Sequence, residues 1–589
     1  MNKSLYFNKG AWLSNVLPEI PTNIVLNKTI TGCGATTLEI TTPRHSIIIE
    51  PNVPVIQGKV KAHKNVFPVY EEVSHQQVRE YLTKPAECWR KIMTTPEGYD
   101  KKLRLALAEL KPDYHEEFFM LFDECEKIIQ DVDYRGDICL PVDDFFQFKG
   151  KAMVSATPIM PSDPRFVEQN FELWKIVPTY DYKQKVNLIV TNNTMAVLGE
   201  IVKLATERSH RVCVFINSTD TIHRAVNTLQ LTDRCKVFCG EKSVKKLKER
   251  GFNSAYCNLQ EELAEVNFFT SRFYSAVDIV LPYRPCVVIL SDVVRAPFSA
   301  IDPATELIQA VGRFRKGVKG VWHVTNTNPR RLCITREYML AHLTSQERFY
   351  NKVLSIEPQD FAERDEKERA LKAMEYHRFV TSAGNRNYFM WDNALDFEKI
   401  KSYYLGLNRL LKAYETAPVQ LSSVKKKELI LSDEDRIARE AEQISNVKRW
   451  EIVTGQIKRL YANGTHSEDA IVAELEGQFR QIVHAYFVIG LAEIEALRYN
   501  ERKILDRVQK LEVAKQLACA NIRAEIYGRF KEGDTEPVEV VNNFMAEIIE
   551  KHHIELSGRI DRRYISLYFE IEDCKQNGAR AFRFVRKKW

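Results

Sequence analysis

Leu26-Asn27-Lys28-Thr29-Ile30-Thr31-Gly32-Cys33-Gly34-Ala35-Thr36-Thr37 is the stretch on which the reading of the chain turns. It follows the apolar run Ile24-Val25-Leu26, which reads as a short buried strand, and precedes Leu38-Glu39-Ile40, which can open a helix before Pro43 closes it. Strand, glycine-rich loop and helix start together form a phosphate cradle, because loop N–H groups and the helix dipole point at one anion. Gly32 and Gly34 let backbone approach phosphate, and Thr36 stands where a hydroxyl would hold Mg²⁺. Thr31, Cys33, Ala35 and Thr37 complete the expected nucleotide-binding loop.

The P-loop pattern G-x-x-x-x-G-K-[ST] asks for Lys after the last Gly, where this chain has Ala35, and for Gly where it has Thr29. Two unit charges about 4 Å apart at an effective dielectric near 20 interact by about 4 kcal/mol. Losing that lysine unreplaced should cost on the order of a thousandfold in rate or affinity. Lys28 leaves the strand just before the loop, and its long stem can curl back over the β- and γ-phosphates. It is the expected substitute; a surface lysine is the alternative.

The chain has 589 residues, 44% apolar and 28% charged, which at roughly 150 residues per domain implies several globular domains. A net charge of +6 is too mild to argue for nucleic acid by itself. The 12 cysteines contain no CxxC pair, so buried thiols of a reducing compartment are expected rather than zinc. No run of 18 apolar residues and no signal-like start is present, so a soluble cytoplasmic protein without a membrane partner is expected.

Apolar runs at 23–26, 46–50, 66–70, 91–93, 118–122 and 152–155 predict buried parallel strands of an α/β sheet, with ligands beyond their carboxyl ends. Asp123-Glu124-Cys125-Glu126 follows the fifth run, and a strand delivering Asp-Glu suits Mg²⁺-nucleotide chemistry. One carboxylate, Asp123, would hold the metal shell, and Glu124 would activate water; an acidic loop is the plain alternative. Ser155-Ala156-Thr157-Pro158 follows the sixth run and either bridges the hydrolytic centre to a neighbouring domain or is a turn. Thr94-Thr95-Pro96-Glu97-Gly98 follows the fourth and either contacts a phosphate backbone or turns the chain.

These four stretches stand in the order and rough spacing of motifs I, Ib, II and III of superfamily 2 helicases, and the chain resembles that family. A second set of candidate strands, 187–190, 212–216, 236–238, 268–270, 287–290 and 320–324, restarts the pattern. Phe269-Thr270-Ser271 with Val277-Asp278-Ile279 resembles motif V, whose Thr-Ser pair touches nucleic acid and whose Asp lies near the nucleotide. Gln309-Ala310-Val311-Gly312-Arg313-Phe314-Arg315-Lys316 resembles motif VI, whose arginines reach the γ-phosphate across the cleft. Arg313 matches the first arginine; Arg315 or Lys316 supplies the second.

The resemblance implies two tandem RecA-like parallel-sheet domains, 1–170 and 171–330, followed by a mainly α-helical region, 331–589, which it does not cover. It implies ATP and Mg²⁺ as cofactors, with Thr36 and Asp123 at the metal. Thr94, Thr95, Ser155, Thr157, Thr270 and Ser271 would face nucleic acid, DNA ahead of RNA. The implied activity is nucleic-acid-dependent ATP hydrolysis coupled to translocation, unwinding or remodelling. Its rivals are a helicase-shaped scaffold without turnover and a DNA-packaging ATPase. The pattern is similar in style to helicase-like proteins of large phages or mobile elements, which would place it in a bacterial host cytoplasm.

Beyond Asn328-Pro329, stretches 397–414, 433–457 and 494–526 predict amphipathic helices, a possible surface for a protein partner. Val424-Lys425-Lys426-Lys427-Glu428 reads as a linker or solvated helix start. Arg580-Ala581-Phe582-Arg583-Phe584-Val585-Arg586-Lys587-Lys588-Trp589 interleaves basic and aromatic residues, which suits phosphate neutralisation with base stacking, or an edge strand with a basic tail. Phe7 or Trp12 could stack on a base or pack in the core.

Overall fold

The computed structural model describes residues 3–85, 88–260, 262–275, 278–381, 384–429, 446–462, 479–554, 562–576 and 578–588. The chain forms two compact units, Met1–Leu431 and Ser432–Trp589.

The first unit holds two eight-stranded, wholly parallel sheets. In chain order the strands of the first sheet are β1 (Lys3–Phe7), β2 (Ile24–Asn27), β3 (His45–Ile49), β4 (Val66–Val69), β5 (Lys91–Thr94), β6 (Phe118–Asp123), β7 (Gly150–Ser155) and β8 (Glu172–Pro178). They lie side by side as β1-β8-β2-β7-β6-β3-β5-β4. The second sheet is built from β9 (Gln184–Thr191), β10 (Val212–Phe215), β11 (Cys235–Phe238), β12 (Ala255–Tyr256), β13 (Val266–Phe269), β14 (Cys286–Ser291), β15 (Gly320–Thr325) and β16 (Val419–Lys427). Its order is β12-β11-β13-β10-β14-β15-β9-β16. These are two tandem RecA-like domains.

Each sheet is covered on both faces, which is why its inner strands are unbroken apolar runs. In β3, Ile47 and Ile49 point into one core with Val25, Met120 and Phe122, while Ile48 points into the other with Ile24, Leu26 and Leu121. In β10, Cys213 and Phe215 face one side and Val212 and Val214 the other. All twelve expected strands lie within the two sheets.

The exceptions are at the margins. β8 lies beyond the expected boundary at residue 170 yet pairs with β1 and β2 in the first sheet. The lysine-rich stretch expected as a linker or helix start is instead the end of β16, which runs parallel to β9 at the edge of the second sheet. Lysines on an edge strand discourage pairing with another chain. The second sheet therefore takes a strand from far beyond residue 330.

The helix expected over 397–414 is two helices, Tyr388–Tyr403 and Leu407–Thr416. Between them the Tyr404 hydroxyl is buried; it donates to the Ile301 carbonyl at 2.8 Å and accepts from the Ile301 N–H at 3.0 Å. The helix Tyr388–Tyr403 ties the two sheets together. Its Phe389 packs in a core of the first sheet, and Asn393 Nδ2 donates to the Ile129 carbonyl at 2.8 Å. Its Lys399 pairs with Asp302, after β14, at 3.1 Å.

In the second unit, the helix expected over 494–526 is three: Arg480–Ala496, Glu501–Leu517 and Ala520–Arg529. Arg498 and Tyr499 break the first from the second with positive φ, and Asn500 caps the new start. Of the stretch 433–457, residues 433–445 lie outside the described residues, and Asn446–Ala462 is helical. The unit also carries an antiparallel sheet of β17 (Thr535–Pro537), β18 (Phe569–Gln576) and β19 (Ala579–Lys587), in the order β17-β19-β18. Among the described residues no helix is long and apolar enough to cross a membrane.

Candidate active site

The glycine-rich loop sits where the first sheet changes winding direction. β2 pairs with β7 and β8, while the next strand in the chain, β3, lies beyond β7 and β6. Such switch points leave a crevice past the strand ends. Thr29 stands where the P-loop pattern has its first glycine, yet it adopts φ 60°. The Asn27 side chain steadies it by accepting the Thr29 N–H at 2.8 Å. Gly32 and Gly34 have φ of 76° and 92°, and Gly34 precedes the helix Ala35–Thr41. Side-chain ends also lie close there: a Cβ on Gly34 would meet the Trp12 ring at 2.6 Å, and one on Gly32 would meet the end of the Arg315 side chain at 2.6 Å.

The carboxylates arrive at the end of β6. Asp123 is buried; one of its oxygens accepts the Thr36 hydroxyl, and the other lies 3.1 Å from Lys28 Nζ. Lys28 Nζ is also 3.5 Å from Glu124. Burial opposes the Lys28 charge, but Asp123 and Glu124 outweigh it and hold the ammonium protonated. Burial likewise opposes the Asp123 charge, and Lys28 with the Thr36 hydroxyl overcomes it. Thr36 and Lys28 thus meet Asp123 at different oxygens, and the lysine head also lies toward Glu124.

The second sheet closes the site. Gln309, on the helix Glu306–Gly312, directs its Nε2 at Glu124 Oε2 (3.1 Å), Glu126 Oε1 (3.0 Å) and Thr157 Oγ1 (3.1 Å). Its Oε1 accepts from Arg313 Nη2 at 3.0 Å. Arg313 is buried, 4.0 Å from Glu124 and 3.8 Å from Asp278, and Arg315 pairs with Asp278 at 2.6 Å. Thr31 donates to the Gly312 carbonyl at 3.3 Å, joining the loop to the facing helix. Lys316 is exposed and does not line the cavity, so Arg315 is the second arginine of the pair placed at the site.

Thr31 aside, the expected loop residues, Asp123, Glu124, Asp278, Arg313 and Arg315 surround one cavity of about 530 Å³. Two charged residues not anticipated from sequence line it as well. Glu50, just past β3, is 1% exposed; burial, then Asp123 and Glu124, push its carboxyl well up. A carboxylate ending the run Ile47-Ile48-Ile49 was a legible signal, because ligands gather past strand ends. Lys59, on the helix Val53–Ala62, donates to Thr37 Oγ1 at 3.1 Å. Nothing local in the sequence marks it. Trp12 is 57% exposed and lines the cavity, whereas Phe7 belongs to the core.

The residues expected at nucleic acid are placed differently. Thr94 and Thr95 are buried: the Thr94 hydroxyl donates to the Thr95 carbonyl at 3.0 Å, and the Thr95 hydroxyl accepts the Gly98 N–H at 3.1 Å. Their side chains shape a turn. Ser155 Oγ accepts the Thr157 N–H at 2.9 Å, and Thr157 meets Gln309, so this stretch bridges the two domains. Thr270 is buried and Ser271 half-buried. Val277 and Trp589 lie outside the described residues. Phe582 and Phe584 are core residues of the second unit, which removes them as base-stacking platforms. Their neighbours Arg583 and Arg586 lie across from Glu572 and Glu570, with Arg586 and Glu570 3.0 Å apart.

Thr36 and Asp123 form an oxygen donor set suited to a hard divalent cation. The two left-handed glycines leave backbone open to an anion, and Lys28, Lys59, Arg313 and Arg315 surround the cavity with positive charge. Glu124 lines the same cavity beside Asp123. The arrangement suits binding and hydrolysis of a phosphoanhydride.

No family model matches the chain, and no curated protein matches it. Similar solved structures include Dbp5 of S. cerevisiae bound to RNA and ADP BeF3, at 16% identity, covering 60% of this chain and 89% of that one, with a TM-score of 0.34. The DEAD-box helicase Mss116 bound to ssRNA and UDP-BeF is similar at 10% identity, covering 85% and 88%, with a TM-score of 0.38. The DUF1998 helicase MrfA bound to DNA is similar at 14% identity, covering 64% and 53%, with a TM-score of 0.35.

Proposed function

We propose that this chain is a nucleic-acid-dependent ATPase of the superfamily 2 helicase type, with Lys28 in place of the usual P-loop lysine. The observation that carries the reading is the position of Lys28 Nζ, 3.1 Å from Asp123 beside the Thr36 hydroxyl, with Gln309 and Arg313 facing it from the second domain.

The triphosphate lies along the loop, with Gly32 and Gly34 admitting it close to the backbone. Thr36 and Asp123 hold Mg²⁺, which supplies Lewis acidity at the terminal phosphates. Lys28 exchanges its contact with Asp123 for the β- and γ-phosphates. Glu124 orients the attacking water and takes its proton. Arg313, with Arg315, neutralises charge that develops on the γ-phosphate, an effect that can reach about 10³ to 10⁵ in rate in phosphoryl transfer. Gln309 touches Glu124, Glu126 and Thr157 together, so changes at the phosphate reach the second domain. Single-stranded nucleic acid, DNA ahead of RNA, lies across both domains and is moved as the cleft closes and opens.

Steady-state ATP hydrolysis with and without single-stranded DNA and RNA tests this in the wild type, Glu124→Gln and Lys28→Ala. Stimulated turnover that is lost in both variants supports a working motor with a relocated lysine. No turnover above the Glu124→Gln background, with nucleic-acid binding intact, supports a scaffold, the reading that Ala35 favours.

A further inference from the structure

Lys28 accounts for one end of the nucleotide cavity, and the other end has a lysine of its own. Lys59 projects from the helix Val53–Ala62, which Ile56 anchors in the core of the first sheet. The exposed side of this helix, through Pro54, Val55, Gly58 and Lys59, is a wall of the cavity that also holds the loop and the Asp-Glu pair. Lys59 Nζ lies 3.1 Å from Thr37 Oγ1, and among the described residues no carboxylate oxygen is within 4.0 Å of it. Lys59 is half-buried, its ammonium meets the neutral Thr37 hydroxyl, and it borders the cavity that the glycine-rich loop opens to an anion, so it has capacity for a phosphate oxygen.

We infer that Lys59 is a second phosphate-binding lysine, placed on the α-phosphate side of the nucleotide, beside the β- and γ-phosphate role proposed for Lys28. The assignment to that side follows from the order along the loop. Thr36 turns its hydroxyl to Asp123 and Lys28, at the metal and γ-phosphate end. Thr37 is the next residue, farther along the cradle, where P-loop backbone and side chains meet the α- and β-phosphates. Lys59 therefore touches the part of the nucleotide that survives hydrolysis. An interaction made equally with substrate, transition state and diphosphate product changes affinity rather than the chemical step. Lys28 serves turnover, and Lys59 serves retention of both ATP and ADP.

This inference rests on the proposed ATPase reading, and binding measurements separate the two. Dissociation constants of a fluorescent ADP analogue, with AMP as competitor, and KM and kcat for ATP are compared in the wild type, Lys59→Ala, Lys59→Arg and Lys28→Ala. In Lys59→Ala, ADP affinity and KM should worsen by the same factor, roughly ten- to a hundredfold, as for a charge-assisted hydrogen bond. AMP should weaken too, kcat should fall far less than affinity, and Lys59→Arg should restore most of the loss. Lys28→Ala should show the opposite pattern, with kcat lost. Unchanged ADP affinity in a folded Lys59→Ala overturns the assignment and leaves the ATPase reading standing. A loss in kcat without a loss in ADP affinity overturns the α-phosphate placement. A wild type that binds neither ADP nor ATP overturns both readings.

Discussion

Lys28 Nζ and Asp123 Oδ1 lie 3.1 Å apart in the interior of the first domain, although 95 residues separate them in the chain. Each stabilises the charge of the other against burial. Replacing Lys28 with Ala leaves the buried Asp123 without its cation and removes the charge proposed to lie nearest the terminal phosphates. ATP turnover should fall by two to three orders of magnitude, on the order of the Coulomb energy of one close pair. Glu124→Gln should be equally inactive yet bind ATP normally, and nucleotide-binding assays on the two variants distinguish a lost cation from a lost base.

Gln309 reaches from the second domain into the first. Its amide nitrogen lies within 3.1 Å of polar atoms of Glu124, Glu126 and Thr157. Gln309→Ala should keep ADP affinity within about threefold, because it makes no contact with the loop, while stimulated turnover falls about ten- to a hundredfold. Loss of stimulation by nucleic acid should accompany it, measured as the ratio of rates with and without a single strand.

Gly312 and Thr31 limit how closely the facing helix approaches the loop. A Cβ on Gly312 would come within 2.4 Å of Thr31 Oγ1 and 2.7 Å of its methyl. Gly312→Ala should hold the domains apart and reduce turnover, about tenfold for a misplacement under 1 Å. Adding Thr31→Ala removes the two nearest atoms, leaving only the Thr31 Cβ at 3.0 Å, and should restore part of the rate. A double variant no better than the single one would show that this contact does not set the approach.

The buried carboxyls of Glu126 and Glu306 carry a pH dependence. Burial, then Glu124, pushes Glu126 up to about 8, and burial pushes Glu306 up to about 8, from an ordinary value of 4.5. One Glu126 oxygen is buried without a hydrogen-bond partner, as suits an uncharged carboxyl. The folded protein therefore keeps protons that the unfolded chain releases. Their contribution to stability is whole below about 4.5 and is lost as pH rises through about 8. The thermal midpoint should drop between about pH 6 and pH 8.5 more steeply in the wild type than in a Glu126→Gln, Glu306→Gln double variant.

The inner strands of both sheets were legible in the sequence because a parallel strand covered on both faces must be apolar at every position. Ile47-Ile48-Ile49 and Val287-Val288-Ile289-Leu290 satisfy that condition without reference to anything distant. The loop and Asp123-Glu124 were legible because each follows such a strand, whereas Gln309-Arg313, at the end of the helix Glu306–Gly312, was legible through its motif. The edge strands β1 and β16, and β8 beside β1, were not, although the edge strand β4 was. β1, β8 and β16 mix charged and apolar residues, and only pairing with a neighbour already in place makes them strands. Side-chain heads were the other gap. Whether Lys28 reached Asp123, whether Arg315 or Lys316 faced the cavity, and that Lys59 bordered it all depend on flexible stems several ångströms long, whose ends are fixed by partners remote in sequence. Thr94 and Thr95 illustrate the same limit in reverse: their position past a strand was foreseen, but their hydroxyls were consumed by a local turn. By itself the sequence determined the two sheets and the order of the groups past their strand ends. Tertiary structure decided which cations meet which carboxylates, because burial makes each such pairing obligatory only once the surrounding walls exist.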